Sequence, residues 1–508
     1  MSTRREFLTA TAAVTAAPLV RGADAPAKKP NIIHINVDTW SAWWLGCYGN
    51  ASIRTPNLDA LAARSCIFLD AYAECLYTIP MRRVLYTGRR AFPGVMVKQW
   101  DDVAFRAWHP LFVEDVTMAE TLLNAGYLTA LVSDVFHQFK TEKNFHRGFL
   151  SWQWIRGQQI DRYKTGPGKG IDVRNFLHPS QYANSGSGGG AGSFGQYLVN
   201  RQFWRTDDDL PAAQVFSTAA QWLEDNVESP RPLYLHVESF APHPFWDPPD
   251  DYYRLYMKSD YKGPKLIYPP DNATLLSPVE LEHARSLYFG YVTFVDAQIG
   301  KFLARADKLG LMRNTLISFT ADHGVMLGER GVIHKGENTL QTQVTRVPLI
   351  FYTPWGGESR IKGLVQHTDW MPTMCELAGV NIPGRVTGQS LKPLIDIGDS
   401  SKREWIVGGF HNHGFIRTPE WMYTGRFNSG DAFENLYDIQ KDPQELTDIL
   451  QRQPALRDKF RAQLKDYAAS GWEITKGSFL QPEPETQYTD KLITKHNDDT
   501  ASGRHPAG

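Results

Sequence analysis

Apolar, β-branched runs that end in a carboxylate constrain the fold of this chain more than any other feature. Residues 31–38 (NIIHINVD) form one such run, and residues 314–322 (NTLISFTAD) form another much later. Short apolar runs of this kind are typical of strands buried on both faces of a parallel sheet. Residues 118–139 add a helical pattern, a turn at Gly126 and a further strand, which together make one βα unit. The sequence therefore predicts an α/β fold.

The polar residues that follow these strands are candidates for a functional site. Asp38 ends the first strand, and Asp322 and His323 follow the later one. In open α/β sheets, ligands bind beyond the carboxyl ends of the strands, and carboxylates and imidazoles are common metal ligands. The strand at 232–239 leads into a loop with four prolines, which would hold His243 in a fixed position.

Length, charge and cysteine spacing limit the classes of function. The 508 residues suffice for one large α/β domain with an appendage. The 54 Lys and Arg residues balance 55 Asp and Glu residues, so no overall field would recruit nucleic acid or an anionic membrane. Beyond the N-terminal region no segment approaches the ~18 consecutive apolar residues of a membrane span. The four cysteines show no metal-finger or paired spacing. We expect a small-molecule or carbohydrate substrate, and the oligomeric state stays open.

The N-terminus has the pattern of a twin-arginine export signal. Arg4 and Arg5 precede a short apolar segment, and small residues follow around Ala23 and Ala27. A receptor reads the paired arginines, and the apolar segment is too short to span a membrane as a helix. We therefore expect residues 1–27 to be a signal peptide and the mature protein to be periplasmic or secreted.

Replacing Arg4 and Arg5 together by Lys should leave the protein in the cytoplasm, because the receptor recognises the arginine pair and not positive charge alone. Cell fractionation with immunoblotting measures the distribution. The matched control replaces Lys28 and Lys29 by Arg beyond the signal, and this variant should be exported normally. Export of the Arg4, Arg5 double variant at the wild-type level would contradict the assignment.

Residues 78–88 (TIPMRRVLYTG) combine a helix start with groups that bind anions. Pro80 has the backbone angle of a first helical turn, so Thr78 would lie at a helix N-terminus. Unpaired N–H groups and the positive end of the helix dipole favour an anionic group there. Arg82, one turn on, could donate charge-assisted hydrogen bonds to the oxygen of residue 78 or to a substrate. An ordinary helix start is the alternative, because Thr is also a good N-cap.

The spacing of Thr78, Pro80, Arg82 and the closing Gly88 resembles the signature of the sulfatase family in the alkaline phosphatase superfamily. Further segments are similar to sulfatase elements in the family's order, namely residues 55–78, 316–331, 334–336 and 345–352. The resemblance covers roughly residues 30 to 450. It implies a three-layer α/β/α sandwich around a large mixed, mostly parallel sheet, followed by a small antiparallel sheet and a helix.

The same resemblance implies a division of the mature chain into three parts. We expect a sulfatase-like catalytic domain at 28–395, a small C-terminal subdomain at 396–470 and a peripheral tail at 471–508. Residues 163–198 include the run SGSGGGAGSFG, which has no hydrophobic periodicity. We expect this stretch to be a flexible loop, with a solvated insertion slightly favoured over a lid.

The resemblance also implies roles for individual residues. One divalent cation would be held by Asp38, Asp322, His323 and the oxygen of Thr78. Calcium is the expected ion by resemblance, and Mg²⁺, Mn²⁺ and Zn²⁺ stay open because an imidazole joins the oxygen ligands. The implied catalytic residues are Thr78, Arg82, His243, Lys335 and His137. For His137 a structural role stays open beside the catalytic one, because a lone His in a chain is often structural.

Lys335 and His243 match positions at which sulfatases carry a lysine and a histidine. Phosphatases and phosphodiesterases of the superfamily use a second metal ion in the same space. The sequence offers no clear additional Asp and His pair for a second cation. The resemblance therefore favours a site with one metal ion.

Thr78 departs from the family pattern and leaves three hypotheses open. Sulfatases have Cys or Ser here and convert it to formylglycine, whereas the extra methyl group of Thr makes an aldehyde impossible. The first hypothesis is an exported, metal-dependent hydrolase of sulfate esters, such as those of carbohydrates, or of related phosphate esters. The second is a phosphodiesterase or phosphonate hydrolase in which Thr78 attacks directly. The third is a non-catalytic protein that retains the sulfate-binding pocket.

Overall fold

The computed structural model describes residues 29–96, 105–140, 143–165, 171–182, 191–428 and 433–479. In chain order its strands are β1 (Asn31–Val37), β2 (Cys66–Tyr72), β3 (Leu128–Ser133), β4 (Ser151–Trp154), β5 (Leu233–Ser239), β6 (Thr315–Ala321), β7 (Met326–Leu327), β8 (Ile333–His334), β9 (Arg346–Val347), β10 (Leu349–Tyr352), β11 (Ser359–Gln366), β12 (Ile406–Phe410), β13 (His413–Arg417), β14 (Trp421–Arg426) and β15 (Asn435–Asp438). Its α-helices are α1 (Pro56–Ala62), α2 (Thr78–Thr87), α3 (Met118–Asn124), α4 (Phe136–Phe139), α5 (Pro179–Tyr182), α6 (Ala191–Arg201), α7 (Pro211–Asn226), α8 (Asp250–Arg254), α9 (Pro278–Lys308), α10 (Thr342–Thr345), α11 (Trp370–Leu377), α12 (Lys392–Ile397) and α13 (Pro454–Ile474). None of these described helices is long and apolar enough to cross a membrane.

Nine strands form one large sheet in the order β11-β2-β10-β6-β1-β5-β3-β4, and β9 pairs with the end of β2. Neighbouring strands run parallel except at β9 and β10, which run antiparallel to their neighbours. β1 lies at the centre, where Ile33 pairs with Leu235 of β5 and with Ile317 of β6. The predicted mixed, mostly parallel sheet is therefore confirmed.

Helices cover both faces of this sheet and create two apolar cores. Along β1 the side chains alternate between them, as expected for a strand with a period of two. Ile33 and Ile35 belong to the core that includes α7 and α9, whereas Ile32 belongs to the core that includes α2 and α11. The three-layer α/β/α arrangement expected from the resemblance is confirmed.

A second, four-stranded antiparallel sheet is formed by β12 to β15, and α13 packs against it. This sheet contacts the segment just before α2. The backbone N–H of Leu76 donates to the carbonyl oxygen of Gly409 at 3.0 Å, and the rings of Tyr77 and Phe410 lie 4.0 Å apart. The small antiparallel sheet with a helix is confirmed. α13 continues to Ile474, a little beyond the expected start of the tail at residue 471, and residues 480–508 lie outside the described ranges, as do residues 1–28.

The expectation of one flexible loop over residues 163–198 is wrong in its last part. Residues 191–198 belong to α6, and the Gly/Ser run extends into this helix. Phe194, Tyr197 and Leu198 are buried in the core that includes α7 and α9. Burial of these apolar side chains outweighs the low helix propensity of Gly and Ser. The centre of the run, residues 183–190, lies outside the described residues.

Glu445 links the part of the chain that forms the small antiparallel sheet to the part that forms the large sheet, through a buried carboxylate. Its two oxygens accept hydrogen bonds from the backbone N–H of Thr342 at 3.2 Å, and its carbonyl oxygen accepts one from Arg330. Burial raises the pKa of Glu445 from 4.5 to about 7. The folded protein therefore binds a proton at this carboxyl more tightly than the unfolded chain does.

This shift predicts that the free energy of unfolding falls as the pH rises from about 4.5 to about 7. Glu445→Gln should remove that loss and be more stable than wild type at pH 8, by about 3 kcal/mol at most. At pH 4.5 the difference should be small. Urea unfolding at both pH values measures it, and Glu376→Gln, an exposed change on α11, is the control. An equal effect of Glu445→Gln at both pH values would contradict the prediction.

Candidate active site

Several parallel strands end at the same edge of the large sheet and deliver polar residues there. Asp38 directly follows β1, and Asp322 directly follows β6. Thr78 is the first residue of α2, which comes soon after β2, and only 3% of its surface is exposed. His243 lies in the proline-rich loop after β5. The predicted helix start at Thr78 is confirmed, and the edge is where α/β folds bind ligands.

Arg82 lies between the two acidic residues. Its Nη1 atom is 2.7 Å from Oδ2 of Asp322 and 3.1 Å from Oδ2 of Asp38, and all three side chains are fully buried. Burial alone would lower the pKa of Arg82, but the surrounding carboxylates raise it above its ordinary value. The guanidinium is therefore a permanent cation. Nη1 also donates to the main-chain carbonyl oxygen of Thr78 at 3.0 Å, so the oxygen that it holds is not the Thr78 hydroxyl.

Thr39, the residue after Asp38, links the polar groups of the site through hydrogen bonds. Its hydroxyl donates to Oδ1 of Asp38 at 2.7 Å, and its backbone N–H donates to Oδ1 of Asp322 at 2.9 Å. Lys335 Nζ in turn donates to the Thr39 hydroxyl at 3.1 Å. Thr39 has a φ of 65°, which is rare for a β-branched residue. We attribute this backbone conformation to the three interactions that fix the residue.

Asp38 and Asp322, called the acidic pair below, offer together with His323 a set of ligand atoms that fits a divalent cation. One ligand atom from each of Asp38, Asp322 and His323 lies within 4.8 Å of the others, and within the described residues they are the single such group of His, Cys, Asp and Glu. Nε2 of His323 is buried without a hydrogen bond, and so is Oδ2 of Asp38, whose close neighbour is the Arg82 guanidinium of the ion pair described above. A bound cation would satisfy both atoms, since buried polar atoms require partners.

The protonation of His323 also suits a metal ligand. Its Nδ1 lies 3.0 Å from the carbonyl oxygen of Gly324, which can only accept, so Nδ1 carries the proton and Nε2 presents a lone pair. Burial and the nearby charge of Lys335 keep the pKa of His323 well below its ordinary value. The imidazole is therefore neutral at neutral pH.

Lys335 and His243 both lie close to Asp38. Lys335 Nζ is 3.9 Å from Oδ1 of Asp38 and 5.3 Å from the centre of the Tyr77 ring. Burial lowers the pKa of Lys335, and Asp38 and Asp322 oppose that shift. Burial and Lys335 together hold the pKa of His243 well below its ordinary value. His243 Nδ1 donates to the carbonyl oxygen of Pro244 at 2.5 Å, so its Nε2 is unprotonated.

His137 has aromatic neighbours on several sides. It belongs to α4 and packs against Trp108, with ring centres 5.2 Å apart. The ring of Phe240 neighbours both histidines, with its centre 6.1 Å from that of His137 and 4.1 Å from that of His243. The packing supports a structural role for His137, and its catalytic role stays a prediction.

Glu238 is a buried residue that sequence reasoning missed. It lies in β5, and its carboxylate is 3.5 Å from Nε of Arg82 and accepts hydrogen bonds from Ser133 and Asn36. Burial would raise the pKa of Glu238, but Arg82 and His236 hold it at about 2. Glu238 is thus a charged partner that orients Arg82. The sequence does contain a pattern that could have identified Glu238, because His236 and Glu238 interrupt an otherwise apolar buried strand.

The structure thus has an α/β/α sandwich with two carboxylates, an imidazole and a lysine gathered at the carboxyl edge of its sheet, which is the class of architecture in which many α/β enzymes bind their ligands. An architecture of this kind shows a fold and not a reaction, so comparisons with known proteins are needed for the family. Residues 30–380 match the Sulfatase family, and residues 328–469 match the N-sulphoglucosamine sulphohydrolase C-terminal family. The chain belongs to the sulfatase family.

Individual relatives agree with this assignment. The chain is 27% identical over 464 residues to an arylsulfatase of Clostridium perfringens, covering 83% of this chain and 90% of the relative. It is 24% identical over 481 residues to an N-acetylglucosamine-6-O-sulfatase of Bacteroides thetaiotaomicron, covering 83% of each chain. The crystal structure of a phosphonate monoester hydrolase of Agrobacterium radiobacter is similar with a TM-score of 0.65 and 21% identity, over 87% of this chain and 96% of that one. Two of these proteins are named as sulfatases, and the likeness to the phosphonate monoester hydrolase shows a shared fold.

Proposed function

We propose that this protein is an exported hydrolase that cleaves sulfate esters of carbohydrates with the help of one divalent cation. The observation that carries the proposal is the convergence of Asp38, Asp322, His323 and Lys335 beside the helix that begins with Thr78. Two carboxylates and a neutral imidazole suit a cation, and a lysine beside them suits a substrate anion. The carbohydrate class rests on the relative named as an N-acetylglucosamine-6-O-sulfatase.

In this proposal the metal ligands, Lys335 and Arg82 each have a separate role in binding or positioning the substrate. A divalent cation on Asp38, Asp322 and His323 would neutralise a non-bridging substrate oxygen and lower the pKa of the Thr78 hydroxyl. Lys335 binds another oxygen of the transferred group through its ammonium. Arg82 holds the two carboxylates and the first turn of α2 in position.

Thr78 and His243 would carry the two transfer steps. In the first step Oγ1 of Thr78 bonds to sulfur, the bond from sulfur to the sugar oxygen breaks, and the hydroxyl proton passes through Nε2 of His243 to the sugar. In the second step water attacks sulfur and loses a proton to His243. The bond from sulfur to Thr78 then breaks, and His243 returns the proton to the Thr78 oxygen.

A second candidate is hydrolysis of phosphonate or phosphate diesters by the same nucleophile. The observation that favours it is Thr78 itself, because a sulfate ester of Thr lacks the second hydroxyl with which a formylglycine hydrate expels sulfate. Water releases a phosphoryl group from such an ester more readily than a sulfuryl group. This candidate uses the same cation and the same Lys335.

One screen separates these candidates. Purified mature protein is assayed against an aryl sulfate, sulfated monosaccharides, a phosphate diester and a phosphonate monoester, with elemental analysis of the protein. Sulfate release with one equivalent of divalent cation supports the first candidate. Preference for the phosphorus esters supports the second. Sulfate binding without any turnover would contradict both and indicate a non-catalytic sulfate-binding protein.

A further inference from the structure

A cavity of about 610 Å³ lies directly beside the candidate active site. One side is formed by the loop that carries Lys335, Gly336 and Asn338, and the other side is formed by Phe433 and Asn435 of the C-terminal subdomain. Lys335 lines this cavity while its Nζ contacts Thr39 and Asp38 of the site. Lys335 is therefore part of the cavity wall and of the candidate active site.

The lining of the cavity has the chemistry of a carbohydrate-binding surface. Amide side chains reach it from several segments, and they can both donate to and accept from sugar hydroxyls. Phe433 adds an aromatic ring to the wall, 51% of the residue is exposed, and the face of such a ring is a surface on which a sugar ring can pack. The volume is in the range of known ligand sites and is larger than one sugar ring requires.

A series of polar contacts connects the ring of Phe433 to Glu337, which lies on the same loop as Lys335. Glu337 Oε1 accepts a hydrogen bond from Nδ1 of His413 at 3.1 Å. Nε2 of His413 accepts one from Nε of Arg426 at 3.0 Å, and the Arg426 guanidinium lies 4.5 Å from the centre of the Phe433 ring. Because Glu337 is two residues from Lys335, these contacts fix the aromatic ring relative to the site.

We propose that this cavity is a subsite for a second sugar unit, so that the substrate is an oligosaccharide. The sulfated ring would lie over Thr78, and the next ring would pack on Phe433 between the two domains. The inference rests on the proposed function, because it takes the cleaved ester to belong to a carbohydrate. The cavity lining carries two basic residues, Lys335 and Arg330, against one acidic residue, Asp271, and this excess of positive charge suits a chain with further acidic groups.

The test compares the affinities of a short and a long ligand for the Thr78→Ala variant, which should bind a sulfated sugar without hydrolysing it. Glucosamine 6-sulfate and size-defined heparin and chondroitin sulfate tetrasaccharides are titrated by calorimetry. At least one tetrasaccharide should bind about tenfold more tightly than the monosaccharide. A second change, Phe433→Ala, should reduce that ratio towards one, whereas Phe433→Tyr should retain it. Trp152→Ala removes an aromatic residue that is 47% exposed on the edge strand β4 and should leave the ratio unchanged.

The outcomes distinguish the subsite from the proposed function. Equal affinity for monosaccharide and tetrasaccharides, or a length preference that survives Phe433→Ala, would overturn the subsite even if wild type hydrolyses the monosaccharide ester. Tetrasaccharide binding that depends on Phe433, without turnover of any ester by wild type, would support the subsite and overturn the hydrolase. Thermal unfolding of each variant identifies any that fail to fold, and Phe433→Leu then replaces Phe433→Ala.

Discussion

Thr78→Ala should abolish turnover of every ester that the wild-type protein hydrolyses, a loss of about 10⁴-fold or more in kcat for removal of a nucleophile. Binding of inorganic sulfate should persist, because Lys335 and the acidic pair with its cation do not depend on the hydroxyl. Steady-state kinetics measure the first effect, and calorimetry with sulfate measures the second. Thr87→Ala is the matched control, since Thr87 is equally buried at the far end of α2 and bonds only within the helix region. Activity that survives Thr78→Ala would place the nucleophile elsewhere.

Thr78→Cys extends the same prediction to the reaction class. Co-expressed with a formylglycine-generating enzyme, this variant should gain hydrolysis of sulfate monoesters, because Pro80 and Arg82 already supply the rest of the signature. Mass spectrometry of the tryptic peptide reports conversion of the cysteine independently of activity. Full conversion with no gain in sulfate release would contradict the view that residue 78 limits the reaction class.

Asp322→Ala should remove the bound cation and weaken the fold at the same time. Asp322 supplies one carboxylate of the proposed metal site and is the nearest charge partner of the buried Arg82. Leaving a buried charge unpaired costs about 3–5 kcal/mol, and because Asp38 and Glu238 still face Arg82 we expect a loss near the lower end of that range. Elemental analysis should report the loss of about one equivalent of cation per chain, and urea unfolding should report the loss of stability.

Asp369→Ala separates these two effects. Asp369 is also fully buried and pairs with Arg403 at 2.7 Å, yet it lies outside the metal group. This control should destabilise the protein by a similar amount and leave the metal content unchanged. Unchanged metal content in Asp322→Ala would show that the cation, if one binds, is held by other residues.

The local patterns of the chain were sufficient to locate the elements that carry the site. The apolar runs before Asp38 and Asp322 are strands, and the stretch that begins at Thr78 is a helix. These features depend on short-range effects, namely the burial of alternating side chains and the backbone angle of proline. The fold itself was predicted through the resemblance, whose motifs follow one another in the family's order.

Other features depend on contacts between distant segments and could not be derived from local pattern. Arg82 contacts Asp322, which is 240 positions away, and binds the main-chain oxygen of Thr78 and not its hydroxyl. Glu238 is a polar residue in an apolar strand, and its pairing with Arg82 follows only from the packing of α2 on the sheet. The helix α6 forms across a Gly/Ser run because its aromatic side chains find a core to enter.

The sequence by itself determined the family, the α/β fold and the helix start at Thr78, because strand and helix periodicity and a strict motif spacing are encoded in neighbouring residues. The tertiary structure alone decided which polar groups meet. It brings His323 and Lys335 to Asp38, packs Phe240 near both His137 and His243, and places Phe433 near the loop of Lys335, which lies about one hundred positions earlier. The physical reason is that local sequence specifies whether a residue is buried, whereas strand order and domain packing specify which residues it is buried against.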